Sequence, residues 1–197
     1  EDPDQPGGRS GPLSAQGRHR RLVEGNSTTH PIPHASLPAL FEAQVAATPQ
    51  ALAVGSGDAS LTYAELNARA NRLAHVLIAR GVGAEQVVAL ALPRGVELVV
   101  SILAVLKAGA AYLPLDPDYP PARIRFMLDD ARPVLLVINT QTLGCVPEDA
   151  ATPRFVLDHS DAVKLLGGCA DTDPTDADRT SRLLPGHPAY VIYTSGS

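Results

Sequence analysis

The sequence predicts a layered α/β fold in which a mostly parallel sheet is flanked by helices. Two observations carry that prediction. Apolar runs of strand length alternate with amphipathic stretches of helix length, and short connections join them, as in right-handed strand–helix–strand crossovers. Within the alternation, Val87 to Leu92 is continuously apolar, the pattern of a central strand covered on both faces and not of a hairpin strand facing water.

Residues 1 to 36 stand apart. Pro3, Pro6, Gly7, Gly8, Gly11, Pro12, Gly17 and Gly25 punctuate a polar stretch that cannot sustain a helix or strand, so it is read as a linker or tail. Arg18, His19, Arg20 and Arg21 read as a short solvated turn. His30 and His34 are four apart, but Pro31 and Pro33 argue against the regular helix that would make that spacing a metal-binding face.

The ordered domain is expected over residues 37 to 197. Ser36 is placed to cap a helix whose apolar face is Leu37, Leu40, Phe41 and Val45, ending at Thr48 and Pro49. A short strand follows at Ala51 to Val54. Thr62 and Glu65 then form a Thr-x-x-Glu capping box, and Leu61 and Leu66 occupy the two positions of a hydrophobic staple. The helix so started runs to about Arg80 on a stripe of Leu66, Ala70, Leu73 and Leu77, widened by Ala74 and Ile78. Gly81 can take the left-handed conformation that ends it. The other side of this helix, with Glu65, Asn67, Arg69, Asn71 and Arg72, is expected to meet water.

After the Val87 to Leu92 strand and a loop at Arg94 and Gly95, Val96 to Ala108 reads as a helix stopped by Gly109, and Ala111 to Leu115 as the next strand. Lys107 lies in the last turn, where a cation is electrostatically favoured, so a structural or solvated role is expected for it. Asp116, Pro117, Asp118, Tyr119, Pro120 and Pro121 make a rigid turn, and the prolines preorganise a helix facing inward through Ile124, Met127, Leu128 and Ala131. Pro133 ends it. Val134 to Ile138 is another strand, followed by an irregular region and a weaker strand at Phe155 to Leu157. Residues 158 to 188 are less regular, and the acidic run from Asp171 to Asp178 reads as a solvated loop, since it lacks the Gly and Glu of a calcium-binding EF-hand. Tyr190 to Tyr193 reads as a strand of the sheet interior, leading directly into Thr194, Ser195, Gly196 and Ser197.

Composition bounds the function. The chain has 197 residues, of which 45% are hydrophobic, with no Trp and only 3 Phe and 5 Tyr, so its core must be aliphatic. Lys and Arg number 16 against 21 Asp and Glu, a net charge of −5, which disfavours nucleic acid or an anionic membrane as a partner. Cys145 and Cys169 have no metal-ligand or disulfide-framework spacing, and no metal site is expected. The longest apolar stretch, Leu98 to Leu106, is too short to cross the roughly 30 Å of membrane hydrocarbon, and no secretory leader pattern is visible, so a cytoplasmic location is expected.

Candidate chemistry centres on the small residues that follow the last apolar run. The amides and hydroxyls of Thr194, Ser195, Gly196 and Ser197 could curl around a phosphate, although an ordinary turn is the commoner reading of such residues alone. Pairing Ser195 as a nucleophile with His187 or His159 has no orienting pattern behind it.

Three separated segments resemble the adenylation domain of nonribosomal peptide synthetases, within the wider AMP-binding, adenylate-forming enzymes. They are Leu61-Thr62-Tyr63-Ala64-Glu65-Leu66, then Leu106-Lys107-Ala108-Gly109-Ala110-Ala111-Tyr112-Leu113-Pro114-Leu115-Asp116, and Tyr190-Val191-Ile192-Tyr193-Thr194-Ser195-Gly196-Ser197. Leu37 to Val54 resembles the family's entry helix and first strand, and residues 13 to 34 the connector that follows a condensation domain. The resemblance implies an N-terminal, incomplete part of a domain that uses ATP and Mg2+ to activate an amino acid as its adenylate, then passes it to a phosphopantetheine thiol on a carrier domain. It gives Thr194, Ser195, Gly196 and Ser197 the phosphate contacts, and Thr62, Glu65, Lys107, Gly109 and Asp116 structural roles. It names no catalytic residue here: the family's ribose-binding aspartate, C-terminal lysine and most of its substrate pocket have no counterpart in these residues. Pro188-Ala189 also departs from the family's Asn-Leu or Asp-Leu. The 197-residue piece is therefore expected to be inactive alone. A noncatalytic, self-associating fragment and an unrelated nucleotide-binding module are the alternatives.

Overall fold

The computed structural model describes residues 34–57 and 59–194. The expected linker over residues 1 to 36, with its basic cluster and His30, falls almost wholly outside them. The first helix, α1 (Leu37–Ala47), is capped by Ser36, whose Oγ accepts a hydrogen bond from the Ala39 N–H at 3.3 Å. A two-stranded antiparallel ribbon follows, β1 (Leu52–Ser56) with β2 (Ala59–Thr62). From there helices and strands alternate: α2 (Tyr63–Ala79), β3 (Val87–Ala91), α3 (Val96–Ala108), β4 (Ala111–Pro114), α4 (Pro121–Ala131), β5 (Leu135–Ile138), a 3-10 turn at Thr140–Cys145, β6 (Arg154–Val156) and α5 (Ser160–Gly167).

The four strands β3 to β6 form one parallel sheet in the order β4-β3-β5-β6, so β3 is central, as its unbroken apolar run requires. Its side chains alternate between two cores. Val88 and Leu90 pack with α2, α3 and α5 through Leu73, Leu77, Val105 and Ala162, while Ala89 and Ala91 pack with Ile124, Met127 and Leu128 of α4. The result is three layers, helices on both faces of a parallel sheet.

Helix α2 starts where the capping box predicts. Glu65 N–H donates to Thr62 Oγ1 at 3.3 Å and the Glu65 carboxylate accepts from the Thr62 N–H at 2.8 Å, a bond that also holds the Glu65 carboxyl below its ordinary range. Leu61 and Leu66 are both buried in the same small cluster, beside Val96. Replacing Thr62 with alanine removes the side-chain acceptor and should cost about 1 kcal/mol in urea unfolding; no change in midpoint would mean the cap adds nothing here. Gly109 ends α3 at φ 92°, in the left-handed region.

Four expectations need correction. On α1 the buried residue is Pro38, and Leu37 and Leu40 are 55% and 43% exposed, because only the Phe41 and Val45 side of the helix leans on the domain. Residues 158 to 188 contain α5, an eight-residue helix whose short amphipathic pattern is confined to Ala162 and Leu166 against the core. Among the described residues the Tyr190 run is not a regular strand and pairs on one side alone. It lies parallel beside β4 through a single bridge between Tyr112 and Tyr190, and Tyr190 and Ile192 are 56% and 61% exposed. The fourth correction concerns Asn67, Asn71 and Arg72 on the polar side of α2, which bond to Asp171 and Asp173, while Glu65, Arg69 and most of the acidic loop remain exposed as expected.

That meeting is centred on Lys107. Its side chain has no solvent exposure, and its Nζ donates to Glu42 Oε1 at 2.5 Å and Asp173 Oδ1 at 2.9 Å, with the Phe41 ring 5.9 Å away. Asp173 Oδ1 also accepts from Asn67 Nδ2 at 2.8 Å and Asn71 Nδ2 at 2.9 Å, and Arg72 pairs with Asp171. Burial works against the Asp173 carboxylate, but the donors from Lys107, Asn67 and Asn71 outweigh it and hold its pKa below the usual aspartate range. Arg179 then donates from Nε to the Lys107 carbonyl at 2.7 Å, fastening the far end of the loop to the last turn of α3. A buried ammonium needs such partners, since an unpaired one would be too costly to desolvate.

Candidate functional site

Chain reversal locates the site. From β3 the chain crosses to β4 on one side, and from β5 it crosses to β6 on the other, so the adjacent strands β3 and β5 feed connections that leave in opposite directions. In open α/β sheets such a switch point leaves a crevice beyond the carboxyl ends of the strands, where ligands bind. A cleft of about 640 Å3 lies there. The residues after β3 (Leu92, Pro93, Arg94), after β4 (Leu115 to Tyr119) and after β5 (Gln141, Thr142, Cys145) line it, and so do Ile192 and Tyr193.

Each wall has a local cause. Asp116 folds its turn by accepting the Asp118 N–H on Oδ1 and the Tyr119 N–H on its carbonyl, both at 3.0 Å, the turn role expected of it. On the opposite wall Asn139 caps the 3-10 turn, its Oδ1 accepting the Thr142 N–H at 3.1 Å. Buried Thr142 Oγ1 donates to the Ala91 carbonyl at 2.6 Å, tying the loop after β5 to the end of β3. Sequence reasoning missed Thr142; the Asn-x-x-Thr spacing at Asn139 was the available signal.

The segment that leads to Thr194 is tied to β4 by its backbone at Ala189 and Val191 and to α4 by the Tyr193 side chain. Tyr112 N–H donates to the Ala189 carbonyl at 3.1 Å and Val191 N–H to the Tyr112 carbonyl at 2.9 Å, so the segment advances in the same direction as β4. Thr194, exposed, is thereby brought to the carboxyl end of the sheet. Tyr193 packs edge-on against Phe126 of α4, ring centroids 6.0 Å apart, and its hydroxyl donates to Asp130 Oδ2 at 2.5 Å. Burial and the Asp130 carboxylate push the Tyr193 hydroxyl up to about 12, so it remains a donor throughout the physiological range. Ser195, Gly196 and Ser197 lie outside the described residues.

The other candidates are dispersed. Thr62, Glu65, Lys107 and Gly109 sit in the capping box and the packed end of α3, away from the cleft, and Asp116 is on its rim. His187 Nδ1 accepts the Leu184 N–H, and His159 lies 3.8 Å from Asp161, each occupied locally. Cys145 and Cys169 are free thiols. Among the described residues no group of three or more His, Cys, Asp or Glu could hold a metal ion, and no helix is long and apolar enough to cross a membrane.

A three-layer parallel α/β sheet with a crevice at its switch point, and a segment that brings Thr194 to the same end, is the arrangement in which open α/β sheets bind ligands. The chain belongs to the AMP-binding enzyme family, whose profile matches residues 41–197. Similar proteins include the dimodular nonribosomal peptide synthase of Bacillus subtilis (strain 168), 49% identical over 196 residues, which cover 100% of this chain and 8% of that protein. The probable non-canonical nonribosomal peptide synthetase CymA of Salinispora arenicola (strain CNS-205) is 50% identical over 175 residues, 89% of this chain and 2% of its own length. Novobiocin biosynthesis protein H of Streptomyces niveus is 44% identical over 171 residues, 87% of this chain and 28% of its own length. A crystal structure of the nonribosomal peptide synthetase FmoA3 in an AMPPNP-bound form matches with a TM-score of 0.76 and 32% identity, over 90% of this chain and 18% of that one. The chain thus spans a small part of each relative, and its α/β fold with a parallel sheet flanked by helices is the one it shares with them.

Proposed function

We propose that these residues form the N-terminal part of an adenylation domain of a nonribosomal peptide synthetase, which activates an amino acid with ATP. The observation that supports this most is the parallel pairing of Ala189 to Val191 with Tyr112 of β4, which leads the chain toward the carboxyl end of the sheet within a match to AMP-binding enzymes over residues 41–197. In the reaction, a carboxylate oxygen of the amino acid attacks the α-phosphorus, the bond to the bridging oxygen breaks, and pyrophosphate leaves with its electron pair. The contribution assigned to Thr194, Ser195, Gly196 and Ser197 is donation of N–H and O–H groups to phosphate oxygens, which screens charge that would repel the incoming carboxylate and orients the leaving group.

Mg2+ accompanies the triphosphate in this reading and adds charge neutralisation. None of the residues named here is assigned to it. The acyl group passes to a phosphopantetheine thiol on a carrier domain; residues 1 to 36 link to a condensation domain, and the protein is cytoplasmic.

The test is amino-acid-dependent exchange of labelled pyrophosphate into ATP across a panel of amino acids. The 197-residue polypeptide alone is expected to show none, and the polypeptide joined to the sequence its reading frame encodes downstream is expected to show exchange with one or a few amino acids. Exchange with none of them would overturn the reading.

A further inference from the structure

Tyr193 is the last residue before the small-residue loop with side-chain anchors, and both anchors are on α4. Its hydroxyl donates to Asp130 Oδ2 at 2.5 Å and its ring meets the edge of Phe126. Upstream, the segment's backbone is tied to β4 only through Tyr112, at Ala189 and Val191. Tyr193 also packs against the core of Leu113, Ile124 and Met127, and no backbone hydrogen bond of Ile192, Tyr193 or Thr194 appears among the described residues, so the Tyr193 side chain directs the chain where it leaves the sheet. Asp130 itself faces solvent on α4 and does not line the cleft. An exposed carboxylate bonded to a phenol on a distant segment, 63 positions away, adds little stability, but it fixes an angle.

We propose that Asp130 is a positioning residue for the phosphate loop, acting through the hydroxyl of Tyr193. The inference rests on the reading of Thr194 to Ser197 as phosphate contacts. Displacing such a loop by a fraction of an ångström loosens every donor at once, so the loss appears in the use of ATP and not in the amino acid pocket.

The test compares Asp130→Ala, Tyr193→Phe and the double variant in pyrophosphate exchange by the extended protein. Each single variant is expected to raise the KM for ATP about 10-fold, with the KM for the amino acid unchanged, and the double variant to be no worse than either single one, because both remove the same contact. A second measurement needs no activity: in the 197-residue chain, the backbone 15N order parameters of Ile192 to Thr194 should fall in either variant while those of β3 and β5 are unaffected. Unchanged order parameters at that segment, or equal effects on both substrates, overturn the proposal. Thr194→Ala and Ser195→Ala separate the two ideas. If they leave ATP use intact, the phosphate reading fails; if they impair it while Asp130→Ala does not, only the clasp between Asp130 and Tyr193 fails.

Discussion

Replacing Lys107 with alanine is expected to destabilise the domain by about 3 kcal/mol, the low end of what breaking a buried ion pair costs. Two effects combine. The fully buried lysyl stem leaves a void between α1, α3 and the acidic loop, and the Glu42 and Asp173 carboxylates lose the cation that brings them together. Both carboxylates keep some access to water, 27% and 43% of their side-chain surface, which is why the cost stays at the low end. Lys107→Met preserves the packing of the stem and should lose less than half as much. Urea unfolding of both variants checks this, and an alanine variant within about 0.5 kcal/mol of the parent would show that the cluster is incidental.

The same cluster makes stability depend on pH. The Asp173 carboxyl titrates below its ordinary value of 3.8 in the folded chain, so the unfolded state binds its proton first as pH falls. Its contribution is complete above the ordinary value and is lost as pH drops through it toward the folded value. Stability should therefore decline from about pH 5 downward, and Asp173→Asn should flatten part of that decline.

The largest functional effect is expected in the loop. In the extended protein, Thr194→Ala with Ser195→Ala should reduce kcat/KM for ATP in pyrophosphate exchange by about 100-fold, the scale seen when a donor aimed at developing charge is removed. The effect should fall on ATP, with amino acid binding retained, because the proposal gives these residues contacts to phosphate oxygens and none to the amino acid. A double variant with parental kinetics would exclude the loop from the phosphate site. Gel filtration and unfolding of the same variant guard against a folding defect being read as chemistry.

Most of the fold was legible because its signals are local. The capping box at Thr62, the glycine stop at Gly109, the prolines before α4 and the unbroken apolar run of β3 each act within a few residues, and each element formed where its signal lay. The Tyr190 run was misjudged for a related reason. An apolar alternation says that a segment pairs in a sheet, but not which neighbours flank it, and here β4 is on one side and no strand among the described residues on the other.

Sequence by itself determined the α/β class, the order of the layers' elements, the resemblance to adenylation domains and the residues nominated for phosphate contact. Only the tertiary structure decided where Lys107, Asp173, Asn71, Thr142 and Asp130 act. Those roles join residues 51 to 102 positions apart: Lys107 to Asp173, Asn71 to Asp173, Thr142 to Ala91 and Asp130 to Tyr193. A polar side chain looks solvated in the sequence because exposure is the default for a charge. Whether it is buried depends on partners that the chain brings together only after the sheet has formed, when desolvation makes each unpaired donor costly enough to select them.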